Sequence, residues 1–230
     1  MDPIQIIALS MGAAWASGIN LYATVAMLGI MGATGNMELP PELEILQDPM
    51  VIGAAGIMYI IEFVADKVPG VDTAWDTVHT FIRIPAGAIL AAGAIGDVGA
   101  GAEFAAMLAG GGLAATTHAT KAGTRLMINT SPEPVTNIGA SLMEDVAAIG
   151  MLWAAMNYPW VAVGLLALFV LMAIWLLPKL WRLIKALGRR IAAFFGGKKE
   201  DPAPAASRDA GYEDADVPDS LTIAKPSSTD

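Results

Sequence analysis

No cysteine occurs among the 230 residues, which excludes disulfides, thiolate catalysis and Cys-ligated metals. Positive charge is also scarce over most of the chain. Of 13 Lys and Arg, only Lys67, Arg83, Lys121 and Arg125 precede residue 179, so there is no basic surface for nucleic acid. Charged residues of both signs make up 15%, against roughly 25% in a soluble domain. The catalytic motifs with a clear mechanical signature are missing: no nucleophile elbow, no metalloprotease helix and no phosphate loop. The opening residues lack the basic start and clear cleavage site of a signal peptide and are expected to be mature structure.

What is present is apolar. Hydrophobic residues make up 55% of the chain, and the mean hydropathy is +0.56. The stretch "PWVAVGLLALFVLMAIWLL" (159–177) has no charge and is long enough for a helix to cross ~30 Å of hydrocarbon. The chain is expected to be an all-α, polytopic transmembrane helix bundle over residues 1–178. Apolar segments fall at about 50–65, 82–96, 104–117, 138–157 and 159–177. Residues 3–33 are apolar but interrupted by "SGIN" (17–20), which predicts a break, a tilt or a re-entrant hairpin. Ser17, Asn20 and Thr24 share a helical face, and with Tyr22 they are candidates to line a pore, or else a helix-packing seam. Residues 34–49 read as a Pro-punctuated acidic loop.

Residues 179–199, "KLWRLIKALGRRIAAFFGGKK", alternate apolar and basic side chains at helical spacing, the pattern of an interfacial amphipathic helix. Residues 200–230, rich in Asp, Ala, Pro and Ser, read as a disordered acidic tail. The basic segment predicts a cytoplasmic C-terminus by the positive-inside rule, in the inner membrane of a bacterium. Threading backwards puts the segments around Lys121 and Lys67 inside and the acidic 34–49 loop outside. The side of the N-terminus stays open.

Two polar stretches interrupt this apolar chain: "EFVADKVPGVDTAWDTVHTFIR" (62–83) and "HATKAGTRLMINTSPEPVTNIGASLMED" (118–145). Each ends one apolar helix in charge, breaks at proline and begins another with polar residues. They read as a diverged internal repeat, with units at about 50–98 and 102–157, pseudo-symmetric as in many transporters. Within them Glu62 and Asp66 are four apart. Asp72, Asp76, His79 and Arg83 follow one helical stripe, as do His118, Lys121 and Arg125, and Asn137, Ser141 and Glu144 with Asp145 beside them. The signs are complementary. Glu62 and Asp66 are expected near Lys121 and Arg125, and Arg83 near Glu144 and Asp145. A charge at mid-bilayer costs at least ~2.5–3.5 kcal/mol on insertion scales, so such groups should pair or line water. The alternative is a surface hairpin whose ion pairs only fix register.

With "SGINLYATVAMLGIMG" (17–32) and "LLPKLWRLIKAL" (176–187), these two stretches resemble a bacterial membrane-protein family known as domain of unknown function 4126. The resemblance covers roughly residues 5–190. The family pattern usually has proline straight after the hairpin arginine, whereas here Ile84 intervenes before Pro85. The resemblance implies membrane placement and no particular activity. From the residues themselves, transport of a small solute, ion or lipid headgroup through a charged chamber is the first expectation. An intramembrane enzyme acting on a lipid phosphate is the second, with Asp66, Asp72 and Asp76 on Mg²⁺ and Lys121 and Arg125 on phosphate. A membrane scaffold is the third. No cofactor is expected and no metal site is assigned. The expected partners are the lipid bilayer, an unidentified solute or ion and, as an open case, a second copy of the chain in a homo-oligomer.

Overall fold

The computed structural model describes residues 1–68, 70–128 and 134–195. Among them the chain is helical throughout: α1 (Pro3–Ala33), a 3-10 turn (Pro41–Gln47), α2 (Pro49–Ala65), α3 (Val71–Ile95), α4 (Ala100–Ile128), α5 (Pro134–Asn157) and α6 (Pro159–Phe195). Four helices are long and apolar enough to cross a membrane: α1, α3, α5 over Val135–Asn157 and α6 over Pro159–Ala186. The bent pair Pro41–Gln47 and Pro49–Ala65 raises the number to as many as five. The polarity of the fold is that of a membrane protein. Arg83 and Glu62 are 0% exposed, while Phe81 is 81%, Trp160 74% and Leu171 66% exposed. Polar groups turned inward and large apolar groups turned outward suit a hydrocarbon surround.

The first compact unit, Met1–Gly188, is organised around α1, which packs against α2, α3, α4 and α5. Its most apolar window is 72% buried within the protein, against 17% for that of α6, so α1 is an inner element and α6 a peripheral one. The sequence signal at 17–20 materialises at Asn20, whose φ of −144° and ψ of 97° interrupt the helix. The break is sharp enough to fold α1 back on itself. Gln5 and Leu9 before it line the same cavity as Asn36, Met37 and Glu38 after it. A straight helix would hold residues 5 and 33 about 42 Å apart. Thus α1 is a helical hairpin with Asn20 at its tip, and the expected break lies there.

Small residues let the helices close around it. A Cβ on Gly18 would stand 2.6 Å from the Ala114 carbonyl oxygen, and one on Gly110 would strike the Ala91 Cβ and crowd the Gly87 carbonyl. Close backbone approach of this kind is how membrane helices gain contact without a hydrophobic driving force. Ser10 adds a bond, its hydroxyl donating to the Ala91 carbonyl at 2.7 Å. Gly18→Val is therefore expected to lower the melting point in detergent, by an amount corresponding to about 1–3 kcal/mol of overpacking. Gly53→Ala, where nothing lies within 4 Å, should not destabilise, since Ala is the better helix former.

Two expected boundaries move. The second apolar segment was expected from residue 82, but α3 begins at Val71, and the polar stripe of 72–83 lies on its first half. The C-terminal basic segment does not begin a new helix at 179. Pro178 lies inside α6, which continues to Phe195. One proline costs one backbone bond, and the strongly helical residues on either side carry the helix across it. The expected acidic tail and the end of the basic segment lie outside the described residues.

Candidate functional site

The charged stripes meet inside the bundle. Arg83, twelve residues or about 18 Å along α3, holds the Glu62 carboxylate at 2.5 Å and Asp76 at 2.8 Å. Lys121 of α4 is the hub. Its ammonium lies 2.9 Å from Asp66, 3.6 Å from both Glu62 and Asp76, and 3.7 Å from Glu144. A compact ammonium suits that position, because it serves several carboxylates at once without a fixed fork. Arg125 uses its fork instead. Nε and Nη2 donate to the two Glu144 oxygens at 3.0 and 2.6 Å, while Nη1 donates to the Asn137 side-chain oxygen at 2.7 Å and the Asp66 carbonyl at 3.0 Å. Asn137 also donates to the Asp66 carbonyl, at 3.2 Å. The C-terminal ends of α2 and α4 and the start of α5 are therefore tied together at one end of the bundle.

The hairpin tip enters this network. Where Asn20 leaves the helix, the Ile19 carbonyl accepts from Lys121 at 3.1 Å. The Asn20 amide donates to Asp145 at 2.9 Å and its side-chain oxygen accepts from the Ala23 N–H. Tyr22, just past the tip, bonds His79 Nε2 at 3.1 Å. His79 stacks on Trp75 and bonds the Trp75 carbonyl through Nδ1; a carbonyl only accepts, so Nδ1 carries a proton. His118 is fixed in the opposite tautomer. Its Nδ1 faces the Arg83 Nη1 donor at 3.2 Å, and its Nε2 lies 2.7 Å from a Thr80 hydroxyl that itself donates to the Asp76 carbonyl. With a guanidinium donating to it, Nδ1 has no proton, and His118 is neutral.

The remaining candidates have local roles. Asp72 receives the N–H groups of Gly70 and Thr73 at the start of α3. Gly70 there takes a φ of +88°, a conformation glycine adopts without Cβ strain. Ser17 and Thr24 donate to carbonyls of their own helix, Ala14 and Asn20, and Ser17 packs against Gly87; they do not project into the network. In the turn after α2, Lys67 donates to the Phe63 carbonyl and lies over its ring; desolvation there lowers its pKa from the ordinary lysine value.

One expected pairing is corrected. Arg83 does not engage Glu144 or Asp145. It stays within its own hairpin, because Asp76 is seven residues away on the same face of α3, and Arg125 takes Glu144. Glu62 and Asp66 do meet Lys121, and Asp66 lies 3.8 Å from Arg125. Asp66 and Asp76 each face cations, and Lys121 and Arg125 are engaged with carboxylates, so the groups expected to divide between Mg²⁺ and phosphate are paired with one another. Thr80, the Trp75 ring and the Ile19 carbonyl were not among the sequence candidates. Thr80 was findable, four residues after Asp76 on the same stripe.

The network is not fully satisfied. Glu62 Oε2, Asp66 Oδ1, Asp76 Oδ2 and Asp145 Oδ2 are buried without a hydrogen-bond partner, as are Arg83 Nε and the Ser141 hydroxyl. Buried polar groups in native proteins are nearly always bonded.

The family model described as Domain of unknown function (DUF4126) matches residues 7–179. The chain belongs to that family. No curated protein and no solved structure matches it.

Proposed function

We propose that this family member is a membrane transporter that moves a small solute or ion through the charged centre of its bundle. The observation that carries the reading is the α1 hairpin, whose tip ends on a buried ion network between the α2–α3 and α4–α5 hairpins. Discontinuous helices meeting charged groups between two structural units are the recurrent build of transporter binding sites. The C-terminal ends of α2 and α4, joined through Arg125 and the Asp66 carbonyl, lie at one end of the bundle, which agrees with parallel repeat units. With Lys179, Arg182 and Lys185 of α6 on the cytoplasmic side, where Leu180 and Ile184 lie beside Thr73 and Asp76, that end faces the cytoplasm and the 34–49 loop the opposite face, the setting of a bacterial inner membrane. The free carboxylate oxygens favour a cationic occupant over an anionic one.

The test is flux in liposomes containing the purified protein. Under imposed ion gradients, pH-sensitive and potential-sensitive dyes are expected to respond faster than in protein-free vesicles, and Asp66→Asn is expected to remove at least nine-tenths of the difference. Folded protein that moves neither ions nor fluorescent headgroup lipids would overturn transport and leave the scaffold as the better account.

A further inference from the structure

We propose that Asp145 is the proton-binding group of this protein and that the tip of the α1 hairpin reads its protonation state. Glu62, Asp66, Asp76 and Glu144 each have an Arg or Lys within 4 Å. Asp145 has none among the described residues. It is only 6% exposed; Oδ1 takes the Asn20 amide, and Oδ2 has no partner. Three cations already face four carboxylates, so an ionised Asp145 would be a fifth negative charge with no counterion of its own. His118 supplies none, being held neutral by Arg83, and His79 is turned to Tyr22 and the Trp75 carbonyl. A proton on Oδ2 removes the charge without any other rearrangement of the network.

Ser141, one turn earlier on α5, is 1% exposed and makes no bond to Oδ2. The ionisable groups that act on Asp145 from its neighbours are Asp66 and Tyr59 of α2, Lys67 in the following turn and Lys121 of α4, with Glu144 beside it on α5. Lys121 is occupied by other carboxylates, and Lys67 by the Phe63 ring and carbonyl. The step itself is simple: a proton from the aqueous phase adds to Oδ2, an O–H bond forms and a carboxylate becomes a carboxylic acid. The Asn20 N–H bond to Oδ1 is charge-assisted before the step and an ordinary bond after it. Protonation therefore loosens the side-chain bond between Asn20 and Asp145 that ties the hairpin tip to α5. This rests on the transport reading for its purpose, but proton binding can be measured without flux.

Infrared difference spectroscopy of the protein in liposomes tests it. A carboxylic acid C=O band is expected at low pH, lost as pH rises and absent in Asp145→Asn. In Asn20→Ala, where the carboxylate loses its donor, the band is expected to persist to higher pH. A band that survives Asp145→Asn and disappears in Glu62→Gln would overturn the assignment, as would an unmoved band in Asn20→Ala. Stabilisation by Na⁺ at constant ionic strength, lost in Asp145→Asn with no titrating band in the wild type, would make the site a metal-cation site and overturn it too. Flux that persists while the band is missing would reject the proton site and leave transport standing.

Discussion

Replacing Lys121 by methionine is expected to be the most damaging single change in the protein. Among the described residues the ammonium is the only cation within 4 Å of Glu62, Asp66, Asp76 and Glu144 together, and it also takes the Ile19 carbonyl freed by the hairpin break. Breaking a buried ion pair from one side typically costs about 3–5 kcal/mol, because the partner is left charged and dry; here four partners share the loss. The melting point in detergent should fall sharply, and the protein should elute as a broad or aggregated species. Lys121→Arg should recover only part of the loss, since a planar fork cannot replace a point donor among four carboxylates. Adding Asp66→Asn to Lys121→Met should restore stability in part, because it removes the closest orphaned charge. A methionine variant as stable as the wild type would mean that water compensates the carboxylates and that the network is solvated rather than buried.

Much of this arrangement could be read in the sequence, because helical spacing is local. Four stripes of polar residues at three- and four-residue intervals pointed to helices, and their opposite signs suggested that they meet, with a surface hairpin as the alternative. The break near Asn20 was legible for the same reason: Ser17, Gly18 and Asn20 interrupt an apolar run too long for one crossing. What spacing could not supply was partner choice. Arg83 had two acidic sets within reach, and only the packing of α3 beside α2 and α4 decides that Glu62 and Asp76 take it. Nor could the fold-back of α1 be distinguished from a kink, since both begin with one non-helical residue. The length of α6 was hidden behind Pro178, which reads as a boundary in isolation but is carried by the residues around it.

That choice of partner makes the second large prediction specific. Arg83 is 0% exposed and divides its guanidinium between Glu62 at 2.5 Å and Asp76 at 2.8 Å, with His118 accepting from the same Nη1 at 3.2 Å. Arg83→Gln leaves two carboxylates without their closest cation and is expected to cost about 3–5 kcal/mol. Neutralising Glu62 in the same chain should relieve it. Neutralising Glu144 or Asp145 should not, because Arg125 and Asn20 are their partners. Double-mutant cycles on thermal stability separate the two cases. Coupling of Arg83 to Glu62 but not to Glu144 supports the pairing within the first hairpin. The reverse result would restore the cross-hairpin pairing that the sequence alone suggested. It would also mean that α3 turns its charged face toward α5 rather than toward α2. The consequence for function follows from the same geometry. Glu62 and Asp76 both bridge Arg83 and Lys121, so a change at Arg83 should also reach the hairpin tip through Lys121 and the Ile19 carbonyl. Stability and ion flux should therefore fall together in Arg83→Gln and recover together when Glu62 is neutralised.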